Sequence, residues 1–216
     1  MSTTYRLAVI SAGLSSPSSS RVLADELAAA TVRHLSATAA GVSVAVDVVE
    51  LRPLAHELMD NLLTGFPPPA LKAAIATVTG ADAVIAVTPI FTASYSSLFK
   101  AFFDVLDPES LTGMPVLIGA TGGSERHSLA LDHAVRPLLA YLRALVVPTA
   151  VYAASTDFGA AGGDTAGLAG RIDRAGAELA VLLAGRPARS HAQSADDASA
   201  ADDFDHVIDF EKLLAG

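Results

Sequence analysis

The chain has 216 residues, of which 51% are apolar and 17% charged, and this composition is typical of one globular domain with a substantial core. It has no cysteine, which excludes disulfides, thiolate metal sites and cysteine nucleophiles. The 14 basic and 23 acidic residues give a formal net charge of -9 without a basic cluster, which argues against nucleic acid as a partner.

Short apolar segments of strand length alternate along the chain with longer segments that repeat apolar residues every three or four positions. This alternation is typical of βαβ units around a parallel sheet. The strand candidates are rich in Val and Ile, and at least three lack polar alternation, as expected for strands covered on both faces. The predicted strands are residues 5–10, 42–49, 83–88, 115–119 and 146–152.

Five amphipathic helices are predicted between and after these strands. Five strands and five helices in alternation predict an α/β fold, a flavodoxin-like three-layer sandwich with a five-stranded parallel sheet in the order 2-1-3-4-5. The helical stripes lie within residues 23–35, 71–78, 98–105, 131–142 and 168–183.

Ligands of such sheets bind beyond the carboxyl ends of the strands, where the chain reverses its winding direction. For the predicted order, this edge is formed by the loops after strands 1, 3 and 4. These loops are residues 11–20, 89–97 and 120–128, and they are the most unusual stretches of the sequence.

The first loop, SAGLSSPSSSR, places six serines before a predicted helix. The free N–H groups and the positive dipole end of a helix make its start a phosphate cradle. The loop lacks G-x-G-x-x-G and G-x-x-x-x-G-K-[ST], so it predicts a monophosphate held by neutral donors, with Arg21 as the nearby cation. The alternative is that the serines only cap the helix and form a turn. The candidate phosphate ligands are Ser11, Ser18, Ser19 and Ser20.

The second loop lies in TPIFTASYSSLFKAFFD, where Pro89 fixes the backbone just past the predicted strand. Ile90, Phe91 and Tyr95 then offer apolar surface to a planar ring. The alternative is a loop whose aromatic residues only cover the core.

The third loop, ATGGSERH, carries Gly122 and Gly123, which permit positive φ and a close approach of the backbone to a heterocycle. The alternative is an ordinary turn. Together the three loops supply a phosphate site, an apolar floor and backbone donors at one edge of one sheet. That combination suits flavin mononucleotide (FMN).

The serine-rich loop, TPIFTASYSSLFKAFFD and ATGGSERHSLALDHAVRPLL resemble the NAD(P)H-dependent FMN reductase family over about residues 5–160. The resemblance is strongest to members that supply reduced flavin to two-component, luciferase-like monooxygenases. It implies hydride transfer from NADPH or NADH to FMN, a homodimer or homotetramer, and a flavin-dependent monooxygenase as partner. Leu14, Ser15 and Ser16 stand where the family's commonest phosphate loop often carries an arginine.

The resemblance also implies a set of FMN ligands. The phosphate would be held by Ser11, Gly13, Ser18, Ser19 and Ser20. The isoalloxazine ring would be held by Pro89, Ile90, Phe91, Thr92, Ser94, Tyr95, Thr121, Gly122, Gly123 and Ser124.

No catalytic side chain is assigned, because in such a reductase the cofactor carries the chemistry. The six histidines form neither H-x-x-x-H nor H-E-x-x-H, so no metal site is predicted. Two alternatives remain: an FMN-containing NAD(P)H:quinone or azo reductase that keeps its flavin, and a flavodoxin-type electron carrier. The carrier is least favoured, because such proteins shield the ring with large aromatics, whereas this chain has no Trp.

Residues 1–185 are expected to form the flavodoxin-like FMN-binding domain, and residues 186–203 a flexible linker rich in Ala, Ser and Asp. The apolar tail, residues 204–216, is expected to dock either on its own domain or on a partner subunit. The N-terminus lacks a signal peptide and no apolar run is long enough to span a membrane, so we expect a cytoplasmic protein with no membrane partner.

One irregularity is predicted within a helix. Pro137 leaves the carbonyl of His133 without its normal partner, which predicts a kink or a π-bulge near residue 133. Such irregularities favour interfaces, so an oligomer contact is expected there.

Overall fold

A computed structural model of the protein describes residues 3–38, 41–158 and 165–189. The strands are β1 (Thr3–Ser11), β2 (Val42–Glu50), β3 (Ala83–Phe91), β4 (Ser94–Tyr95), β5 (Pro115–Gly122), β6 (Leu145–Val146) and β7 (Val151–Ala154). They form a parallel sheet in the order β2-β1-β3-β5-β6, with β7 also pairing with β5 in parallel and the short β4 pairing with β3 in antiparallel fashion.

Helices cover both faces of this sheet, which gives two hydrophobic cores. Leu7 and Val9 of β1 face one core, built with α1 and α6, and Ala8 and Ile10 face the other, built with α2 to α5. Strand β3 is buried along its length except at Phe91, as its unbroken apolar run predicts. The helices are α1 (Ser19–Thr38), α2 (Ala55–Thr64), α3 (Pro69–Thr79), α4 (Ser97–Asp104), α5 (Arg136–Tyr141) and α6 (Thr165–Ala184).

The predicted α/β, flavodoxin-like fold and its parallel sheet are confirmed, while the count of five strands is approximate. The predicted strand 146–152 is interrupted between β6 and β7. Pro148 has no N–H to donate, and the N–H of Thr149 donates to Glu178 Oε2 at 2.7 Å instead of to β5. The other additional strand, β4, is the return of a tight hairpin from β3.

Helix α2 was not predicted from the sequence. Its apolar residues fall on both sides: Leu58 is buried, whereas Met59, Leu62 and Leu63 are exposed. They therefore do not form the single buried stripe by which the other helices were identified.

The irregularity predicted ahead of Pro137 is confirmed as a π-helical turn at Leu131–Val135, which leads directly into α5. His133 lies within this turn and is exposed. The oligomer contact expected there stays a prediction.

The chain leaving α6 returns to the edge formed by the amino ends of the strands. Tyr5 Oη donates to the carbonyl of Arg186 at 3.0 Å, and the N–H of Arg189 donates to Asp82 Oδ1 at 2.8 Å. The rest of the predicted linker, residues 190–203, and the tail, residues 204–216, lie outside the described residues. Within the described part of the chain, no helix has the length and apolarity that a membrane span requires.

Candidate functional site

A cavity of about 430 Å³ opens at the carboxyl ends of β1, β3 and β5. This edge is where the predicted strand order places the ligand site, because the winding direction changes between β1 and β3. All three loops singled out in the sequence contribute to the cavity. No described residue that lines it is charged.

The first loop folds back on the start of α1. Ser18 caps the helix, since the N–H of Arg21 donates to Ser18 Oγ at 3.3 Å and to its carbonyl at 3.1 Å. A Cβ on Gly13 would lie only 1.7 Å from Ser18 Oγ, so this close approach requires glycine at position 13. The first turn of α1, with Ser19 and Ser20, therefore borders the cavity with its N–H groups and hydroxyls.

A buried hydrogen bond joins the first loop to the third. Ser20 Oγ and Thr121 Oγ1 are 2.8 Å apart, and the two residues are 2% and 5% exposed. Ser20 lies in the first turn of α1 and Thr121 lies in β5. The bond therefore ties the start of α1 to the end of β5 where both border the cavity.

The second loop is a tight hairpin that is held by two hydrogen bonds of the Thr88 side chain. Thr92 and Ala93 have φ of 50° and 68°, and they connect the paired residues Phe91 and Ser94 in the manner of a two-residue type I′ turn. Thr88 Oγ1 donates to the carbonyl of Pro89 at 3.0 Å and accepts from the N–H of Ser96 at 3.1 Å.

These bonds fix the backbone of the second loop where it borders the cavity. Pro89, Ile90 and Phe91 give the cavity an apolar wall. Phe91 is 48% exposed, so it offers a ring face to a ligand rather than to the core.

In the third loop, Gly122 is required because a side chain there would not fit, and not because the backbone adopts a positive φ as the sequence suggested. Neither Gly122 nor Gly123 adopts a positive φ. A Cβ on Gly122 would lie 2.1 Å from Tyr152 Oη, whereas one on Gly123 would meet nothing within 4 Å. Tyr152 Oη donates to the carbonyl of Ser124 at 2.7 Å, and burial raises the pKa of Tyr152.

The sequence-predicted residues fall into two groups. Ser11, Thr92, Ser94, Tyr95 and Ser124 do not line the cavity: Ser11 is buried at the end of β1, and the ring of Tyr95 lies on Phe99 with centroids 5.9 Å apart. The structure brings the other ten together along the cavity, namely Gly13, Ser18, Ser19, Ser20, Pro89, Ile90, Phe91, Thr121, Gly122 and Gly123.

Four lining residues were not predicted: Leu14, Ser15, Ser155 and Phe158. Ser155 and Phe158 follow β7, whose carboxyl end lies at the same edge as that of β5. The predicted strand order contained this signal, because the loop after the fifth parallel strand must also reach that edge.

Arg21, the basic residue directly after the first loop, does not line this cavity and pairs with two carboxylates instead. Arg21 Nε donates to Asp25 Oδ1 at 2.8 Å, and Arg21 Nη1 lies 3.3 Å from Glu50 Oε1. The hydrogen bond to Asp25 is the main cause that raises the pKa of Arg21. An anion in the cavity would therefore rely on hydroxyls, backbone N–H groups and the helix dipole.

Comparison with known proteins points to one family. The family model described as NADPH-dependent FMN reductase matches residues 5–159. The chain is similar to the NADH-dependent FMN reductase SfnE of Pseudomonas putida, with 36% identity over 185 residues that cover 86% of this chain and 95% of that protein. It is also similar to an FMN reductase (NADPH) of Pseudomonas aeruginosa, with 35% identity over 160 residues that cover 73% of this chain and 81% of that protein.

Solved structures agree with this result. An oxidoreductase from Corynebacterium diphtheriae superposes with a TM-score of 0.80 at 47% identity, over 86% of this chain and 100% of that one. The apo form of the NADH:FMN oxidoreductase EMOB superposes with a TM-score of 0.69 at 30% identity, over 85% of this chain and 92% of that one.

Proposed function

The chain belongs to the NADPH-dependent FMN reductase family, and we propose that its NAD(P)H-dependent reduction of FMN supplies reduced flavin to a partner monooxygenase. One observation carries this proposal: the cavity has no charged residue among its described lining residues. A flavin held only by neutral groups exchanges more readily than one clamped by arginine or lysine, because charge-assisted hydrogen bonds are roughly twice as strong as neutral ones.

The residues fit the phosphate of FMN at the start of α1. Ser18, Ser19 and Ser20 bring hydroxyl donors, and the helix terminus adds N–H groups and a partial charge of roughly +0.5. Gly13 lets the loop close over the helix start. We propose that these four residues hold the phosphate and that no basic side chain among the described residues lining this cavity neutralises it.

We propose that the isoalloxazine ring lies against the second and third loops. Pro89, Ile90 and Phe91 provide an apolar wall, and Thr121, Gly122 and Gly123 line the cavity beside them. When bound, the flavin supplies the hydride-accepting chemistry. The role proposed for the chain's own residues is to bind and orient the flavin and to leave one ring face accessible to nicotinamide.

We also propose a homodimer or homotetramer. Met59, Leu62, Leu63 and Phe66, on α2 and just after it, are 47%, 46%, 86% and 76% exposed. Grouped apolar exposure of this kind is rare on monomers and supports association. A cytoplasmic location is proposed as well, since reduced nicotinamide nucleotides are cytoplasmic substrates.

The proposed function is tested by measuring nucleotide oxidation and monooxygenase product while the two enzymes are kept apart. The purified reductase is placed with NADH or NADPH and FMN on one side of a dialysis membrane, and a luciferase-type monooxygenase with its substrate on the other. Product formation by the monooxygenase is expected, because reduced flavin released by the reductase crosses the membrane.

The contrary result would be NADH or NADPH oxidation without monooxygenase product, accompanied by reduction of quinones or azo compounds by a protein that keeps its flavin. That combination would favour the quinone or azo reductase alternative. Failure to oxidise either nucleotide would favour the electron carrier.

A further inference from the structure

The turn after β7, Ser155–Phe158, lines the cavity of about 430 Å³ with its first and last residues. Thr121 of β5 pairs with Pro89 of β3 on one edge and with Ala153 of β7 on the other. The carboxyl ends of β3 and β7 therefore lie on opposite sides of the end of β5. It follows that the turn after β7 borders the cavity across the third loop from the second loop.

Two hydrogen bonds hold this turn in place. Asp157 Oδ2 accepts from the N–H of Ala154 at 2.8 Å, which closes the turn onto the end of β7. Ser155 Oγ donates to the carbonyl of Gly122 at 3.4 Å, which links the turn to the third loop. Phe158 is therefore presented to the cavity from a fixed backbone.

Two phenylalanines line the cavity with much of their surface exposed. Phe158 is 40% exposed and Phe91 is 48% exposed. The strands that precede them are separated by β5, which ends at Gly122 and is followed by Gly123. A Cβ on Gly123 would meet nothing within 4 Å, so there is open space beside this backbone. Planar rings can lie in that space next to either phenylalanine.

The cavity offers aromatic faces but no charged group to a cation, because no described residue that lines it is charged. Loss of a hydride converts the uncharged dihydronicotinamide ring of NADH or NADPH into a pyridinium cation, and the hydrogen with its two electrons passes to FMN. A cation within roughly 6 Å of the centre of an aromatic ring is attracted by the negative face of that ring. A phenylalanine of this lining can therefore stabilise the charge that develops on the nicotinamide.

We propose that Phe158 contacts the nicotinamide ring of NADH or NADPH and stabilises the positive charge that develops there during hydride transfer. Phe91 belongs to the apolar wall proposed for the flavin, whereas Phe158 follows β7, on the other edge of β5. The two exposed phenylalanines thus serve different ligands. This inference rests on the proposed function, because it requires FMN to lie against the second and third loops.

The test measures two dissociation constants by isothermal titration calorimetry on the full chain, that of FMN and that of an oxidised nucleotide in the presence of saturating FMN. The probe is NAD⁺ or NADP⁺, according to which reduced form the enzyme uses, because it carries the pyridinium cation and cannot reduce the flavin. Phe158→Leu is expected to raise the dissociation constant of the oxidised nucleotide by about two- to fivefold, since it removes the aromatic face. Phe158→Tyr keeps that face and should bind the nucleotide as the wild type does.

The affinity for FMN separates the two phenylalanines. Phe158→Leu should leave the dissociation constant of FMN unchanged, whereas Phe91→Leu should raise it by about threefold or more. The matched control is Tyr141→Leu, which removes an aromatic ring that is 77% exposed at the end of α5 and should change neither constant. In anaerobic single turnovers, Phe158→Leu should also slow the reduction of FMN by about two- to fivefold.

Two outcomes would overturn the inference while leaving the proposed function intact. One is a Phe158→Leu variant whose nucleotide affinity and single-turnover rate both match those of the wild type. The other is an equal loss in Phe158→Leu and Phe158→Tyr, which would mean that the aromatic face does not bind the nicotinamide. Absence of FMN binding to the wild-type protein would instead overturn the proposed function.

Discussion

Two adjoining cavities, of about 430 and 420 Å³, share the serine-rich first loop and present opposite chemistry. The first is neutral throughout its described lining, and its shape depends on glycines and on hydrogen bonds between small side chains. The second is lined by Arg21, Glu50 and Arg52, of which Glu50 and Arg52 are exposed to solvent and Arg21 is half-buried. Space and backbone geometry should therefore control binding in the first cavity, whereas charge should control it in the second.

The largest effect is expected from Gly122→Ala, because the new Cβ would lie 2.1 Å from Tyr152 Oη. Tyr152 would have to move and would lose its hydrogen bond to Ser124. We expect the free energy of unfolding to fall by about 2–3 kcal/mol and FMN affinity to fall by roughly tenfold or more. Urea denaturation and FMN titration measure the two effects.

Gly123→Ala is the matched control, since a Cβ there would meet nothing within 4 Å. It should change the free energy of unfolding by less than about 0.5 kcal/mol. Equal losses in the two variants would show that the close approach at Gly122 does not shape the first cavity.

A smaller effect is expected from Ser20→Ala, which leaves Thr121 Oγ1 buried without its partner. The free energy of unfolding should fall by about 1–2 kcal/mol. The double variant Ser20→Ala/Thr121→Val removes both polar partners and should recover most of this loss in a double-mutant cycle. Additive losses in the cycle would mean that the bond does not couple the start of α1 to the end of β5.

The turn of the second loop allows a change that should stabilise the protein. Ala93 has a φ of 68°, a conformation that costs L-residues free energy and that glycine adopts freely. Ala93→Gly should therefore raise the free energy of unfolding by about 0.5–1 kcal/mol. The control Ala73→Gly, at an exposed position of α3, should lower it by about 1 kcal/mol, so the same substitution should act with opposite signs.

The smallest effect is expected from salt on FMN binding in the first cavity. Raising NaCl from about 0.05 M to about 0.5 M should change the dissociation constant (Kd) of FMN by less than about twofold, because no described residue that lines this cavity is charged. A larger loss of affinity would indicate that the arginines of the second cavity contribute to holding the phosphate.

Much of the fold and the location of the site follow from local signals in the sequence. The apolar run of β3 predicts a strand buried on both faces, and Pro137 predicts the π-helical turn before it. The order of the strands then places the three loops at one edge, where ten of the predicted FMN ligands line the cavity.

What the sequence could not show depends on partners that are distant along the chain. Gly122 is required because of Tyr152, which lies 30 positions later, and no local pattern indicates that contact. The break between β6 and β7 depends on Glu178 as well as on Pro148. Tyr95 has the residue type of a ring contact but lies against Phe99 instead of lining the cavity.

Whether the neutral cavity holds FMN exchangeably is measured most directly by the flavin content of the protein after gel filtration. The protein is loaded with FMN, passed through the column, and assayed for NADH and NADPH oxidation with and without added FMN. We expect colourless protein whose activity returns fully on addition of FMN. Yellow protein with activity independent of added FMN would show instead that the cavity keeps its flavin.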